Sequence, residues 1–397
     1  MNFLPVLLPK DIDKYFFNRH EDIKRINAYI SMLEKDIPNL ILITGYRGVG
    51  KTFLLKKVLK DQDNKFLTTY IDLSSILASE KGKLTEEEVL KEFLNKINNA
   101  VIEKQRTYEE IKTKFSNFFK ELKLKKYDFN KSNINISDIP LPVIRDNYTK
   151  LSKFVMELPQ KIVDSQDDLK GFIIVIDEFQ LLKTMENPSA FFWLIRSYSQ
   201  IQHNVCFIFT GSVSNESSII NMINGPDGAF GGRLIQLNIE PFSKEQTLKY
   251  INEKANNISF TDEGFERFYA CTRGIPSYIN SLASILPNNK ICDENIIKEA
   301  FNLNIDQVVI MWLFVWGNLS IIEKEILITI VESDEKVNWK YLTKKLDYST
   351  TTLSKYLDSL NNKGIIKYYV NEYVLSDIML ERWLKIKYEN EGKYPLF

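Results

Sequence analysis

Two short stretches of this sequence carry side chains whose types and spacing suit phosphate chemistry. The first, Gly45-Tyr46-Arg47-Gly48-Val49-Gly50-Lys51-Thr52, is a glycine-rich loop closed by a lysine and a hydroxyl residue. Glycines at this spacing let backbone N–H groups turn inward around phosphate oxygens, and a helix starting at the lysine adds its positive end. Lys51 is suited to contact the β- and γ-phosphates of a nucleoside triphosphate, and Thr52 to set its hydroxyl where Mg²⁺ sits between them. Gly45, Arg47, Gly48, Val49, Gly50, Lys51, Thr52 and Phe53 are therefore candidate nucleotide-binding residues.

The second stretch, Phe172-Ile173-Ile174-Val175-Ile176-Asp177-Glu178, is apolar on both faces and ends in two carboxylates. Asp177 suits the water shell of the same Mg²⁺, and Glu178 suits a general base that polarises an attacking water. A third run, Val205 to Ser212, ends Thr210-Gly211-Ser212, so Thr210 or Ser212 can face a γ-phosphate. A Thr-Gly-Ser turn after a strand also arises for local hydrogen-bonding reasons alone.

Elements of a definite kind must hold these groups. Leu40 to Thr44 reads as a strand before the loop, and Phe53 to Leu59 has helical apolar spacing after it. Lys65 to Asp72 and Leu234 to Asn238 bring the expected strands to five, with helical stretches between. Strands alternating with helices imply an α/β fold with a parallel sheet and right-handed crossovers, its ligand at the carboxyl ends of the strands.

Composition narrows the setting. The 397 residues are 44% apolar and 26% charged, with equal numbers of basic and acidic side chains, 52 each. No global field steers such a chain to nucleic acid or membrane, so any nucleic-acid surface must be local. Cys206, Cys271 and Cys292, with His20 and His203, form no zinc spacing, which points to a reducing cytoplasm. Phe3 to Leu8 has no basic region before it and no cleavage site after it, and Val308 to Trp316 is too short to span a bilayer. No membrane partner is expected.

Several further motifs resemble the archaeal ATPase family within the signal-transduction ATPases with numerous domains (STAND), relatives of the AAA+ group. Pro9-Lys10 precedes Phe17-Asn18-Arg19-His20-Glu21, which resembles the family's Phe-x-Gly-Arg-x-x-Glu box with Asn18 in place of glycine. Ile176 to Gln180 matches Ile-Asp-Glu-Phe-Gln, Gly211-Ser212 matches a Gly-Ser strand end, and Gly274-Ile275-Pro276-Ser277-Tyr278 matches a Gly-Ile-Pro-x-Tyr box. Gly232-Arg233-Leu234 and Pro241-Phe242-Ser243 complete the pattern. The resemblance implies a P-loop ATPase core, a helical lid carrying Pro276 near the nucleotide, and a C-terminal winged helix. It adds Arg19 and Pro276 to the nucleotide-binding set and makes Arg233 a candidate catalytic arginine, acting either in cis or in trans. No Asn-Lys-x-Asp guanine box is present, so ATP with Mg²⁺ is the expected cofactor pair.

The expected organisation is a core over 1–240 with a charged insertion over about 80–160, a lid over 241–319 and a winged helix-turn-helix over 320–397. Within the insertion, Ile111, Phe115, Phe118, Phe119 and Leu122 sit near helical spacing, as in a helix docking a partner or lying on its own core. Ser243 and Thr261 read as helix N-caps. The tail reads as helices Ile321 to Val331, Trp339 to Leu346 and Thr350 to Leu360, then two β-runs joined at Asn371-Glu372. If this tail reads DNA, Thr351, Thr352 and Lys355 face the major groove, with Lys344, Lys345, Lys363 and Lys367 near phosphates. Asp347, Asp358, Glu372 and Asp377 offset those lysines. The functional expectation is a slow, Mg²⁺-dependent ATPase switch. The alternatives are an ATP-regulated DNA-binding regulator or loader, and a signalling or defence scaffold that forms homo-oligomers or docks a protein partner on ATP.

Overall fold

The computed structural model describes residues 5, 8–80, 82–103, 148–211, 220, 223–225, 228–333 and 336–396. Ser212 and the apolar positions from Ile111 to Leu122 lie outside the described residues.

Five parallel strands, β1 (Leu40–Gly45), β2 (Phe66–Asp72), β3 (Gly171–Asp177), β4 (Val205–Thr210) and β5 (Ile235–Ile239), form one sheet in the order β2-β3-β4-β1-β5. The last strand starts one residue later than expected. Strand period two explains why the central strands are apolar throughout. Phe172, Ile174 and Ile176 of β3 and Phe207 and Phe209 of β4 join one buried cluster, whereas Ile173, Val175, Cys206 and Ile208 join another on the opposite face. Helices α1 (Ile12–Tyr15), α2 (His20–Ile30) and α3 (Lys51–Lys60) belong to the second face, where Ile26, Ile30, Leu54, Leu55 and Val58 are buried. Helices α4 (Leu73–Ser79), α5 (Glu86–Glu103), α6 (Tyr148–Asp164) and α7 (Pro188–Ser199) supply the first face. The fold is a P-loop NTPase core, with both the glycine loop and the acidic pair at the carboxyl end of the sheet.

Helices α8 (Lys244–Lys254), α9 (Asp262–Thr272), α10 (Pro276–Ile285) and α11 (Glu294–Leu303) follow, with a short parallel pair, β6 (Ser259–Phe260) and β7 (Ile291–Cys292), among them. Ser243 caps α8 in a reciprocal box with Gln246, and Thr261 accepts from Gly264 N to cap α9. Two short helices, α12 (Ile305–Val308) and α13 (Ile310–Gly317), connect onward, and Trp312 and Trp316 are buried as a connector should be. Helices α14 (Ile321–Glu332), α15 (Trp339–Lys345) and α16 (Thr350–Asn362) precede an antiparallel hairpin of β8 (Ile366–Tyr369) and β9 (Glu372–Leu375), and α17 (Ile378–Glu391) closes the fold. Among the described residues no helix is long and apolar enough to cross a membrane.

Three tail features differ from expectation. The hairpin turn is Val370-Asn371, both at positive φ (50° and 62°), not Asn371-Glu372. A two-residue turn of this hand needs positive φ at both positions, and a β-branched residue is a poor sequence signal for it. Helix α17 follows the hairpin, where the sequence reading places no further element. Asp377 is 6% exposed instead of offsetting surface lysines: its Oδ2 accepts from Tyr278 OH at 2.7 Å and Trp312 Nε1 at 3.0 Å. This polar knot lies inside one buried cluster that runs without interruption from Phe242 to Ile386. Helices α8 to α11 and the C-terminal helices therefore share a single core.

Candidate functional site

The loop after β1 is built from glycines in conformations other residues resist, with φ of 144° at Gly45, 77° at Gly48 and 98° at Gly50. At Gly48 the need is doubled, because a Cβ there would collide with Ser277 Oγ and stand 2.7 Å from Met311 Cε. Helix α10 thus sits directly on the loop, and Ser277 N donates to Gly48 O at 3.2 Å. Pro276, at the first helical position, sets this approach.

Lys51 opens α3 and folds back over the loop, its Nζ donating to Gly45 O at 2.9 Å and Tyr46 O at 3.0 Å. Burial pushes its ammonium down to about 8, Glu178 and Asp177 pull the other way, and Arg47 adds to the fall. Thr52 Oγ1 donates to Asp177 Oδ2 at 2.9 Å. A hydroxyl and a carboxylate oxygen from two separate motifs thus converge, a donor set that fits a hard divalent cation. Phe53 points the other way and stacks on Phe16 with centroids 5.7 Å apart.

Sequence reasoning missed Tyr70. It stands on β2, the strand beside β3, and its hydroxyl donates to the same Asp177 Oδ2 that Thr52 uses. Burial first, then the Asp177 charge, pushes the phenol up, so it stays a donor. The available signal was a polar group near the carboxyl end of β2, which counts only once β2 is known to flank β3.

Glu178 follows the strand at φ 55°, a left-handed conformation that a non-glycine residue holds at a cost of about 1–3 kcal/mol. Burial and then the Asp177 charge raise its carboxyl, and Arg47 and Lys51 oppose them. Gln180 Nε2 donates to Glu178 Oε2. Thr210, at the end of β4, is fully buried and its hydroxyl has no partner. An orphaned buried hydroxyl beside the acidic pair is the kind of group a phosphate ligand would satisfy.

Arg19 is engaged in structure. Both Asn18 and Arg19 are left-handed, with φ of 56° and 68°, which explains why asparagine substitutes for glycine in this box. The Arg19 guanidinium donates to Glu240 O at 2.7 Å and Val49 O at 3.0 Å, pairs with Asp22 and lies 4.7 Å from the Phe242 ring. It clamps the loop to the end of β5, so Arg19→Ala is expected to weaken ATP binding about tenfold, and Arg19→Lys to recover only part of that. Titration calorimetry of the three proteins checks this.

Arg233 lies away from the phosphate loop of its own chain. Arg233 precedes β5, and Ile235 pairs with Ile41 near the start of β1, whereas the phosphate loop follows its far end. With Arg196 it lines a cavity of about 200 Å³ beside Pro38, Asn39 and Leu40. A parallel register puts it at the opposite end of the sheet from Lys51.

One contact and one charge interaction from the tail reach the loop end of the sheet. Lys367 of β8 lies 5.8 Å from the Tyr46 ring, and Asp358 of α16 acts on Lys183, which burial pushes down to about 8. Lys363, though exposed, pairs with the buried carboxylate of Glu323. On the third helix, Thr351 and Lys355 are exposed.

A family model described as an ATPase domain predominantly from Archaea matches residues 16–282. Curated protein sequences give no match. Among solved structures, the Walker-type ATPase of Pyrococcus abyssi is 18% identical, with a TM-score of 0.64 over 96% of this chain and 99% of that one. The Aeropyrum pernix Orc2 protein in its ADP form is 13% identical, with a TM-score of 0.51 over 97% and 99%. The Orc1 protein of the same organism in complex with DNA is 14% identical, with a TM-score of 0.50 over 97% and 96%. At these identities the likeness is one of fold.

Proposed function

The chain belongs to a family of ATPase domains found predominantly in Archaea, and from that premise we propose that it is a Mg²⁺-dependent ATPase acting as a nucleotide-controlled switch. The observation that carries the reading is the convergence of Lys51, Thr52, Asp177 and Glu178 at the carboxyl ends of β1 and β3. Lys51 and the loop N–H groups bind the phosphates, and Thr52 and Asp177 would hold Mg²⁺, which when bound would supply charge neutralisation at the phosphoryl oxygens. Tyr70 fixes the Asp177 carboxylate, Glu178 accepts the proton of the attacking water, and Thr210 faces the terminal phosphate. Ser212 has the same role by the sequence argument alone.

The moving part is the shared core of lid and tail. Because one cluster joins Phe242 to Ile386, the lid and the C-terminal helices turn as one body on the contact between Gly48 and Ser277. Turnover by the isolated chain is slow, because Arg233 acts in trans from a second copy and a finger of this kind is worth roughly a thousandfold or more. Glu178→Gln is expected to keep ATP affinity and lose turnover by about 10²–10⁴-fold, read by single-turnover hydrolysis. Equal turnover in wild type and this variant would sink the proposal.

A second reading, ATP-controlled DNA contact, draws on the helix-helix-helix-hairpin order of the tail, which matches a winged helix, and on exposed Thr351 and Lys355. Lys367 faces the phosphate loop through Tyr46, so nucleotide state and the availability of that lysine are linked. A duplex-DNA titration of the ATP-loaded Glu178→Gln protein across salt tests it. ATP-dependent binding with a steep salt slope supports a DNA surface, and no binding at any salt makes the tail a protein-docking element.

A further inference from the structure

The hydrolysis reading leaves one side chain at the acidic end of the sheet without a task. Gln180 lies two residues beyond Glu178, in the 3₁₀ turn Phe179–Thr184. Its amide is half satisfied: Nε2 donates to Glu178 Oε2, while Oε1 is buried with no partner. That oxygen lies against Gly211, the first residue beyond β4, where a Cβ would collide with it. The neighbouring Thr210 hydroxyl also lacks a partner. Two unsatisfied polar atoms are thus buried at adjoining points, and one belongs to the group that grips the carboxylate. Burying either without a bond costs about 1–3 kcal/mol, which a purely structural contact would not leave standing.

We infer that Gln180 is a positioning residue for hydrolysis, holding the Glu178 carboxylate with its amide and referencing it to the end of β4 through Gly211. The inference rests on Glu178 being the base. Glu178 sits in a left-handed conformation just beyond the strand end, and a glutamate side chain has several staggered rotamers to choose among. The amide of Gln180 selects one of them. Gly211 is required because the amide occupies the space a side chain would take. Gln180 touches neither phosphate nor metal in this scheme, so it governs the rate of the proton-accepting step and leaves nucleotide affinity alone.

The test is a double-mutant cycle in ATP hydrolysis on Gln180→Leu, Gly211→Ala and the double variant. Gln180→Leu is expected to lower kcat by roughly ten- to a hundredfold with KM for ATP within about twofold of wild type. Gly211→Ala is expected to reproduce that loss by displacing a flexible side-chain end, and the double variant to lose no more than either single one. A melting curve with and without Mg·ATP reports folding and binding for each protein. Unchanged kcat in Gln180→Leu, or additive losses, would overturn the inference while leaving the ATPase reading intact. Absence of turnover in the wild type would overturn that reading and the inference together.

Discussion

The Lys51→Ala protein is expected to bind ATP about a thousandfold more weakly than wild type, with no loss of fold. Two charge-assisted hydrogen bonds to phosphate oxygens are at stake, each worth about 1.5–3 kcal/mol, and about 4 kcal/mol corresponds to that factor. The ammonium rests on the carbonyls of Gly45 and Tyr46, buried within the loop that would wrap the phosphates. Its pKa of about 8 lies below that of a free lysine, so the charged form is disfavoured by folding at neutral pH. Removing it should leave the melting temperature of the nucleotide-free protein unchanged or slightly higher. Calorimetric titration and melting curves with and without ATP read both quantities. A variant that still gains melting temperature with ATP would show that the loop N–H groups suffice.

Asp377→Ala is expected to cost about 3–5 kcal/mol of stability, seen as a fall in the denaturation midpoint of the lid and tail. The carboxylate accepts from Tyr278 OH and Trp312 Nε1, which also bond to each other at 2.8 Å, and caps α17 through Met379 N at 2.8 Å. Alanine strands the phenol O–H in a buried core, while the indole N–H keeps only the phenol oxygen as acceptor. Asp377→Asn keeps an acceptor oxygen and should cost about half as much. A loss below about 1 kcal/mol for alanine would mean that water reaches the site.

The sequence announces the phosphate loop, the acidic strand end and the parallel sheet because each is a local pattern with one structural solution. A Gly-rich run between an apolar strand and a helical repeat has few other uses, and Ser243 and Thr261 cap the helices that their positions suggest. What the sequence hides depends on strand order or on long-range packing. Tyr70 meets Asp177 only because β2 flanks β3. Asp377 looks like one more acidic residue among lysines until Tyr278 and Trp312, far away in the chain, close over it. Arg233, by contrast, precedes a strand of the parallel sheet and the phosphate loop follows one, so their placement at opposite ends is legible from the expected strand directions.

That opposition between Arg233 and Lys51 also constrains how copies of the chain can associate. A contact that brings the arginine of one molecule to the loop of another either pairs two molecules reciprocally about a two-fold axis, side by side with their strands antiparallel, or repeats head to tail. Repetition of such a head-to-tail contact runs on until the rotation per copy closes a ring or winds a helical filament. The stoichiometry of such an assembly is then decided by an angle, and under the proposed switch each copy's nucleotide changes that angle.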